Sequence, residues 1–361
     1  MKRSIRWQAA LLCLALLLPM LLLSACGRNL PVVMEYGTVR LEEDVYRYWL
    51  SCYRAQFAYD ETEENIARLS ELADLNIRKT VVAAALFDSY GLRFDEVARA
   101  RIEAAMERLV ENAGGTREQL DEAAAVYGID YTGLKLAISY EQKASALYQY
   151  LFGSNGIYEI PVLQYENYYQ KTYTHVKMVY IPYVDFLLDD DGERIWDAAS
   201  GSYLYAPKTG ASLSAQQAKA TAVRQAISDG MSEKDFDALI EAYGEDPSTK
   251  TYKDGYYFSS EMDYRDYLPT LTEAALDLEE GEVGEVQSAY GVHFLLALPC
   301  EKGAYDKEAY ADFFEGFTDR VAAYFYEAEV INPLLTEVMV HREVKEEIRY
   351  AEIEPNFDLY W

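Results

Sequence analysis

Apolar positions recur at helical spacing through the first third of the chain and at strand spacing near its centre. Ile102, Ala105, Met106, Leu109 and Val110 fall at i, i+3, i+4, i+7 and i+8, one face of an amphipathic helix. Upstream, residues 33–41 read as a short strand and turn, and an aromatic-rich helix follows from Glu42 to about Phe57. A further helix is expected from Asn65 to Tyr90, stopped by Gly91, because glycine tolerates the left-handed backbone that ends helices. Gly114-Gly115 breaks the next pattern. Thr116 with Gln119 has the spacing of a capping box for a helix ending near Tyr127-Gly128, and a last run extends from Tyr131 to Leu151. Each piece is too short to be stable alone, so together they predict a packed helical domain.

The pattern changes near Gly153-Ser154-Asn155-Gly156. Residues 175–181 alternate in β fashion, and the turn-rich stretch 189–212 reads as an inserted hairpin. Helical patterns over 213–228 and 233–243, a polar loop over 245–255, a short helix over 268–276 and strands at 283 and 292–298 complete a compact α+β domain. From Asp306 to Ile353 the pattern is helical again, as if returning to the first domain. The Asp189-Asp190-Asp191-Gly192 run lacks the spaced ligands of a calcium loop and is read as a turn.

Charge narrows the partners. The 361 residues carry 33 Lys and Arg against 61 Asp and Glu, a formal net charge of -28. Such a field repels polyanions, so nucleic acid is not an expected partner, and basic or weakly charged polypeptides fit better. Lys2, Arg3 and Arg6 precede an apolar stretch and then Leu23-Ser24-Ala25-Cys26, the order of a secretory signal. That tetrad resembles the lipobox of bacterial lipoproteins, which implies removal of residues 1–25 and lipidation of Cys26. Removal takes away three basic residues and no acidic one, moving the charge from -28 to -31, so lipid and not charge would hold the protein at a membrane. Cys52 and Cys300 remain, far apart in sequence; a disulfide between them is open. With three scattered histidines they offer no zinc spacing, and no metal or cofactor is expected.

One imidazole, His293, sits in the apolar run "SAYGVHFLLAL" over 288–298. Strand alternation puts it on one face with Leu295 and Ala297, and Val292, Phe294, Leu296 and Leu298 on the other. A buried imidazole there must be paired, for structure or for chemistry. The segments "MEYGTVRLEEDVYRYWL", "IYEIPVLQYENYY", "FDALIEAYGEDPS" and "YLPTLTEAALDLEEGEVGEVQSAYGVHFLLAL", in that order, resemble the PrsA and SurA family of extracytoplasmic foldases over nearly the whole mature chain. The resemblance implies a helical chaperone domain (26–170, completed by 303–361) with an inserted parvulin-like isomerase domain (171–302), α+β overall. It also implies unfolded exported polypeptides as clients, an extracytoplasmic lipid-anchored location, and an arrangement compatible with a homodimer. Gly291-Val292-His293 matches the glycine and histidine of the parvulin centre. Tyr180 falls where the family has its first histidine, with His175 five residues early and on the other strand face. Asp246 falls near the family's acidic loop, though Asp-Pro-Ser is also an ordinary turn. Tyr267 and Leu271 match the proline-pocket positions, and Tyr257 and Phe258 lie in a reduced form of the family's glycine-rich segment. The expected function is a foldase with peptidyl-prolyl isomerisation; the alternative is a parvulin-like scaffold that binds polypeptide without turnover.

Overall fold

A computed structural model describes residues 30–58, 60–197, 202–228, 230–259 and 269–360. The expected signal segment 1–25, Cys26 and Tyr267 lie outside the described residues. The chain divides into two compact units: one joins the chain up to Glu159 with the chain from Ala322 onward, and the other is Ile160–Val321.

The first unit opens with an antiparallel hairpin, β1 (Val32–Tyr36) and β2 (Val39–Glu42), followed by α1 (Glu43–Gln56), α2 (Ile66–Ser89), α3 (Glu96–Asn112), α4 (Arg117–Ala124) and α5 (Tyr131–Phe152). Side chains of Asp95, Thr116 and Asp130 accept hydrogen bonds from first-turn amides of α3, α4 and α5, which fixes where each begins. Gly91, with φ +69°, follows α2. Val81, Val82, Ala83, Ala84 and Ala85 are buried in the second half of α2, which packs on α5, whose Leu134 and Ile138 belong to the same core.

The C-terminal segment departs from the helical expectation over 306–353. Only α10 (Phe317–Phe325) and the short α11 (Arg342–Glu346) are α-helical there. Pro333, which has no amide proton to donate, lies in a 3-10 stretch over Asn332–Glu337, and Met339–Val340 forms a strand, β11, paired antiparallel to β1 through Met34 and Val340. His341 immediately precedes α11 and places Nε2 2.7 Å from Glu35 Oε1 on β1. Asn356, buried, ties the end down: its amide NH donates to Ser51 O of α1, and its side chain bonds both the NH and the carbonyl of Leu359.

The second unit holds α6 (Val162–Thr172), β3 (Tyr173–Pro182), β4 (Val184–Phe186), β5 (Trp196–Asp197), β6 (Ser202–Tyr203), β7 (Tyr205–Pro207), α7 (Gly210–Ala226), α8 (Glu233–Tyr243), β8 (Tyr256–Ser259), α9 (Pro269–Leu276), β9 (Val283–Gln287) and β10 (Gly291–Leu298). Its antiparallel sheet runs β8-β3-β10-β9. One face carries Val179, Ile181, Val292, Phe294 and Leu296 and is covered by Val223, Phe236 and Leu239 of α7 and α8. The other carries Val176, Met178, Tyr180 and Leu295 and is packed with Leu271 and Ala275 of α9. The protein is therefore α+β, with helices on the sheet faces as burial of apolar surface requires. The units meet in sequence at 159/160 and 321/322, against the expected 170/171 and 302/303. The reason is aromatic packing within the second unit. Tyr169 of α6 and Phe314 beyond the sheet lie 5.7 Å apart, and Tyr305 stacks on Phe317 at 4.7 Å, so both flanking segments belong to this core.

Candidate functional site

The centre of the sheet is built by register. His293 of β10 and Tyr180 of β3 are directly opposed, and their rings stack at 4.6 Å with 16° between planes. Both are 6% exposed. The imidazole Nε2 lies 2.9 Å from Ser288 Oγ, and Nδ1 lies 3.3 Å from Met178 Sδ. A thioether only accepts, so the proton belongs on Nδ1 and Nε2 accepts from the serine hydroxyl. Burial pushes the His293 pKa from 6.5 down to about 4, which leaves the ring neutral at physiological pH. The Tyr180 hydroxyl donates to Tyr290 O at 3.3 Å. Burial raises its pKa well above the usual phenol value; Arg194 pulls the other way, and Asp246 adds to the rise. Both rings are therefore uncharged near neutrality.

Tyr290 locks the turn before β10. Its hydroxyl accepts the Tyr203 amide at 3.1 Å, and its ring meets Phe186 at 5.1 Å and Tyr205 at 5.5 Å. These three residues come from an arm over 184–207 in which β4 pairs β7 and β5 pairs β6. Arg194 of that arm sits over the Phe186 ring at 4.1 Å. Asp189 Oδ1 accepts the amides of Asp191 and Glu193, which makes the acidic run a turn.

The other expected site residues divide. Asp246 Oδ1 accepts the Ser248 amide at 3.0 Å, and Oδ2 accepts the Tyr256 hydroxyl at 2.8 Å, so it caps the 3-10 turn Pro247–Lys250 and makes no direct bond to His293 or Tyr180 in this arrangement. The adjacent Glu245 amide donates to Tyr180 O, which holds that loop against β3. Tyr257, Phe258 and Leu271 are buried core residues: Tyr257 stacks on His175 at 4.3 Å on one face, and Phe258 and Leu271 fill the core on the other. Both His175 nitrogens face backbone carbonyls, of Asp254 at 2.7 Å and Pro299 at 3.1 Å, away from His293. Lys177, also on that face, is buried. Desolvation alone would lower its pKa, but hydrogen bonds to Asp237 and Glu233 outweigh it and raise the value. Cys52 and Cys300 are free thiols.

Sequence reading missed Ser288, Met178, Tyr290 and Arg194. Met178 was within reach, two residues before Tyr180 and so on its strand face. Ser288 and Tyr290 depend on the turn into β10, and Arg194 on an arm that folds back from far along the chain.

No known family's sequence profile matches the chain, and no curated protein matches it. Among solved structures, it is similar to PrsA from Bacillus subtilis at 15% identity, covering 89% of this chain and 94% of that one with a TM-score of 0.23. It is similar to the peptidylprolyl isomerase PrsA from Bacillus anthracis at 14% identity, covering 76% and 97% with a TM-score of 0.26. The foldase protein PrsA from Streptococcus pneumoniae matches at 11% identity, covering 88% and 94% with a TM-score of 0.24. Likenesses of this size assign the chain no activity.

Proposed function

We propose that the protein is a chaperone of the extracytoplasmic foldase type, anchored by lipid on Cys26, that holds unfolded exported polypeptides on its α+β unit without accelerating prolyl isomerisation. The arm over 184–207 carries this reading. Leu187 and Leu188 are 45% and 56% exposed, and Leu204, Trp196 and Tyr205 stand out beside them. Backbone bonds align the strip, from Leu187 NH to Leu204 O, from Leu204 NH to Ile195 O and from Ile195 NH to Leu187 O. Exposed apolar side chains gathered on one arm mark a contact surface, and aromatic side chains suit contacts with polypeptides of varied sequence. The acidic net charge favours basic or weakly charged clients.

Prolyl isomerisation needs no metal or cofactor, only a shelf for the ring and polar groups that favour a twisted amide over a barrier of about 20 kcal/mol. The enclosed His293 and Tyr180 and the buried Leu271 and Phe258 offer no such open shelf, which supports holding over turnover. A second reading, an active isomerase, is favoured by one observation: the stacked Tyr180 and His293 occupy the pair of positions at which the resemblance puts the two central histidines.

An aggregation assay with a chemically unfolded basic client tests the holding role. Full-length protein at equimolar concentration is expected to suppress light scattering, and Leu187→Ser/Leu188→Ser/Leu204→Ser to lose at least about half of that effect. Undiminished suppression by the folded triple variant would remove the arm from the account, and no suppression by wild type would remove the role.

A further inference from the structure

We infer that the outer edge of β9 binds an extended polypeptide segment bearing lysine or arginine, which joins the sheet as a further strand through backbone hydrogen bonds. β9 is an end strand of the sheet, and its bonds to β10 fix which of its groups face outward. Ala297 NH donates to Glu282 O, and Ser288 NH donates to Gly291 O, so residues 282, 284, 286 and 288 turn their backbone groups toward β10. Val283, Glu285 and Gln287 therefore turn theirs away from it. Among the described residues, no hydrogen bond reaches those outward amides and carbonyls. The other end strand is different: all four residues of β8 are buried, whereas Glu285 and Gln287 of β9 are exposed. β9 also lacks the features that usually protect an edge. Its register with β10 runs unbroken from Val283 to Gln287, without bulge, proline or lysine, and its one charge, Glu285, is held by Arg224 of α7 at 2.7 and 2.6 Å.

Charge selects the segment. Glu279, Glu280 and Glu282 stand exposed at the start of β9. A second copy would bring this acidic edge against itself in a chain of net charge -28, so a like edge is disfavoured and a basic segment is favoured. The other end of β9 leads to the apolar arm, because Tyr290, three residues beyond Gln287, carries Phe186 and Tyr205 of that arm on its ring. A polypeptide held by the arm thus has an open strand edge within a few residues of its anchor. The inference rests on the holding role for the source of the segment, an unfolded client, and on β9 alone for the mode of binding.

The test uses the 15N-labelled full chain and two peptides with the same side chains. One is acetyl-Lys-Val-Lys-Val-Thr-Val-Lys-amide, and its twin is N-methylated at the three central residues, so that donors are lost from both edges of the peptide strand. We expect the first to bind saturably and to slow hydrogen exchange at the Val283, Glu285 and Gln287 amides at least about fivefold, and the twin to bind at least about tenfold more weakly. Gln287→Pro removes one outward donor and no bond to β10, so it should weaken the first peptide about threefold or more while melting stays as in wild type. Equal binding of the two peptides, no saturable binding of the first, or binding that leaves the three amides unprotected overturns the proposal. Should wild type still suppress client aggregation in any of those cases, the holding role stands and only the β9 mode falls. Protection of the same amides that grows with protein concentration in the absence of peptide overturns the proposal in favour of a second copy.

Discussion

Gly291→Ala is expected to destabilise the α+β unit by on the order of 3 kcal/mol, and to lower its melting temperature by about 10 °C at the 2–4 °C per kcal/mol typical of this size. A Cβ at Gly291 would lie 2.3 Å from Ile181 O, 2.9 Å from Pro182 Cα and 3.0 Å from Tyr183 N. All three are backbone atoms of the adjoining strand end, so no side-chain rotation relieves the clash. The alternative is to part β10 from β3 where Gly291 faces Pro182 and the Tyr183 amide bonds Tyr290 O at 2.8 Å. That is the end of the sheet on which Tyr180 reaches Tyr290. Thermal unfolding followed by near-ultraviolet circular dichroism measures the effect; a variant melting within about 2 °C of wild type would mean that this approach is not as close as described.

Acid should weaken the same unit through His293. Its folded pKa, about 4, lies below the ordinary 6.5 because the buried ring has no charged partner to offset desolvation. Between those values the unfolded chain takes up a proton that the folded chain refuses. Stability is therefore fully present above pH 6.5 and falls as pH drops toward 4, by up to about 3 kcal/mol from this one group. Urea titrations of wild type and His293→Phe at pH 7, 6, 5 and 4.5 separate it from the many carboxylates that titrate alongside. The difference between the two stability curves should shrink or reverse in favour of Phe as pH falls. Parallel curves would mean that the imidazole is charged, or solvated, in the folded state.

Much of the architecture was legible because local signals and packing agree. The spacing of Phe236, Leu239 and Ile240 after a Ser232 cap gives a helix over Glu233–Tyr243, the range expected from the pattern. The alternation around His293 divides the strand as the sheet does, with Phe294 and Leu296 toward α7 and α8 and Leu295 toward α9. Strand β8 was not legible: Tyr256, Tyr257, Phe258 and Ser259 are all buried, so no polar position alternates with apolar ones to mark a strand. Strand β11 is two residues long and exists because β1 lies beside it, a pairing of residues about 300 positions apart that leaves no local trace. At the site, the opposition of Tyr180 and His293 follows from register. The closing of that centre does not, because Phe186, Tyr203 and Tyr205 reach Tyr290 from an arm whose return is set by tertiary packing. The same arm leaves its leucines exposed, a property of placement that hydrophobicity along the chain cannot express.

Whether this protein holds polypeptides without turning their prolines is tested most directly by NMR exchange spectroscopy on a short proline peptide with full-length protein at catalytic concentration. The measurement is repeated with His293→Ala and Tyr180→Phe. The account predicts line broadening or shifts that report binding, with cis-trans exchange no faster than in buffer for all three proteins. Exchange accelerated by wild type and lost in His293→Ala would contradict it and make the stacked pair a reaction centre.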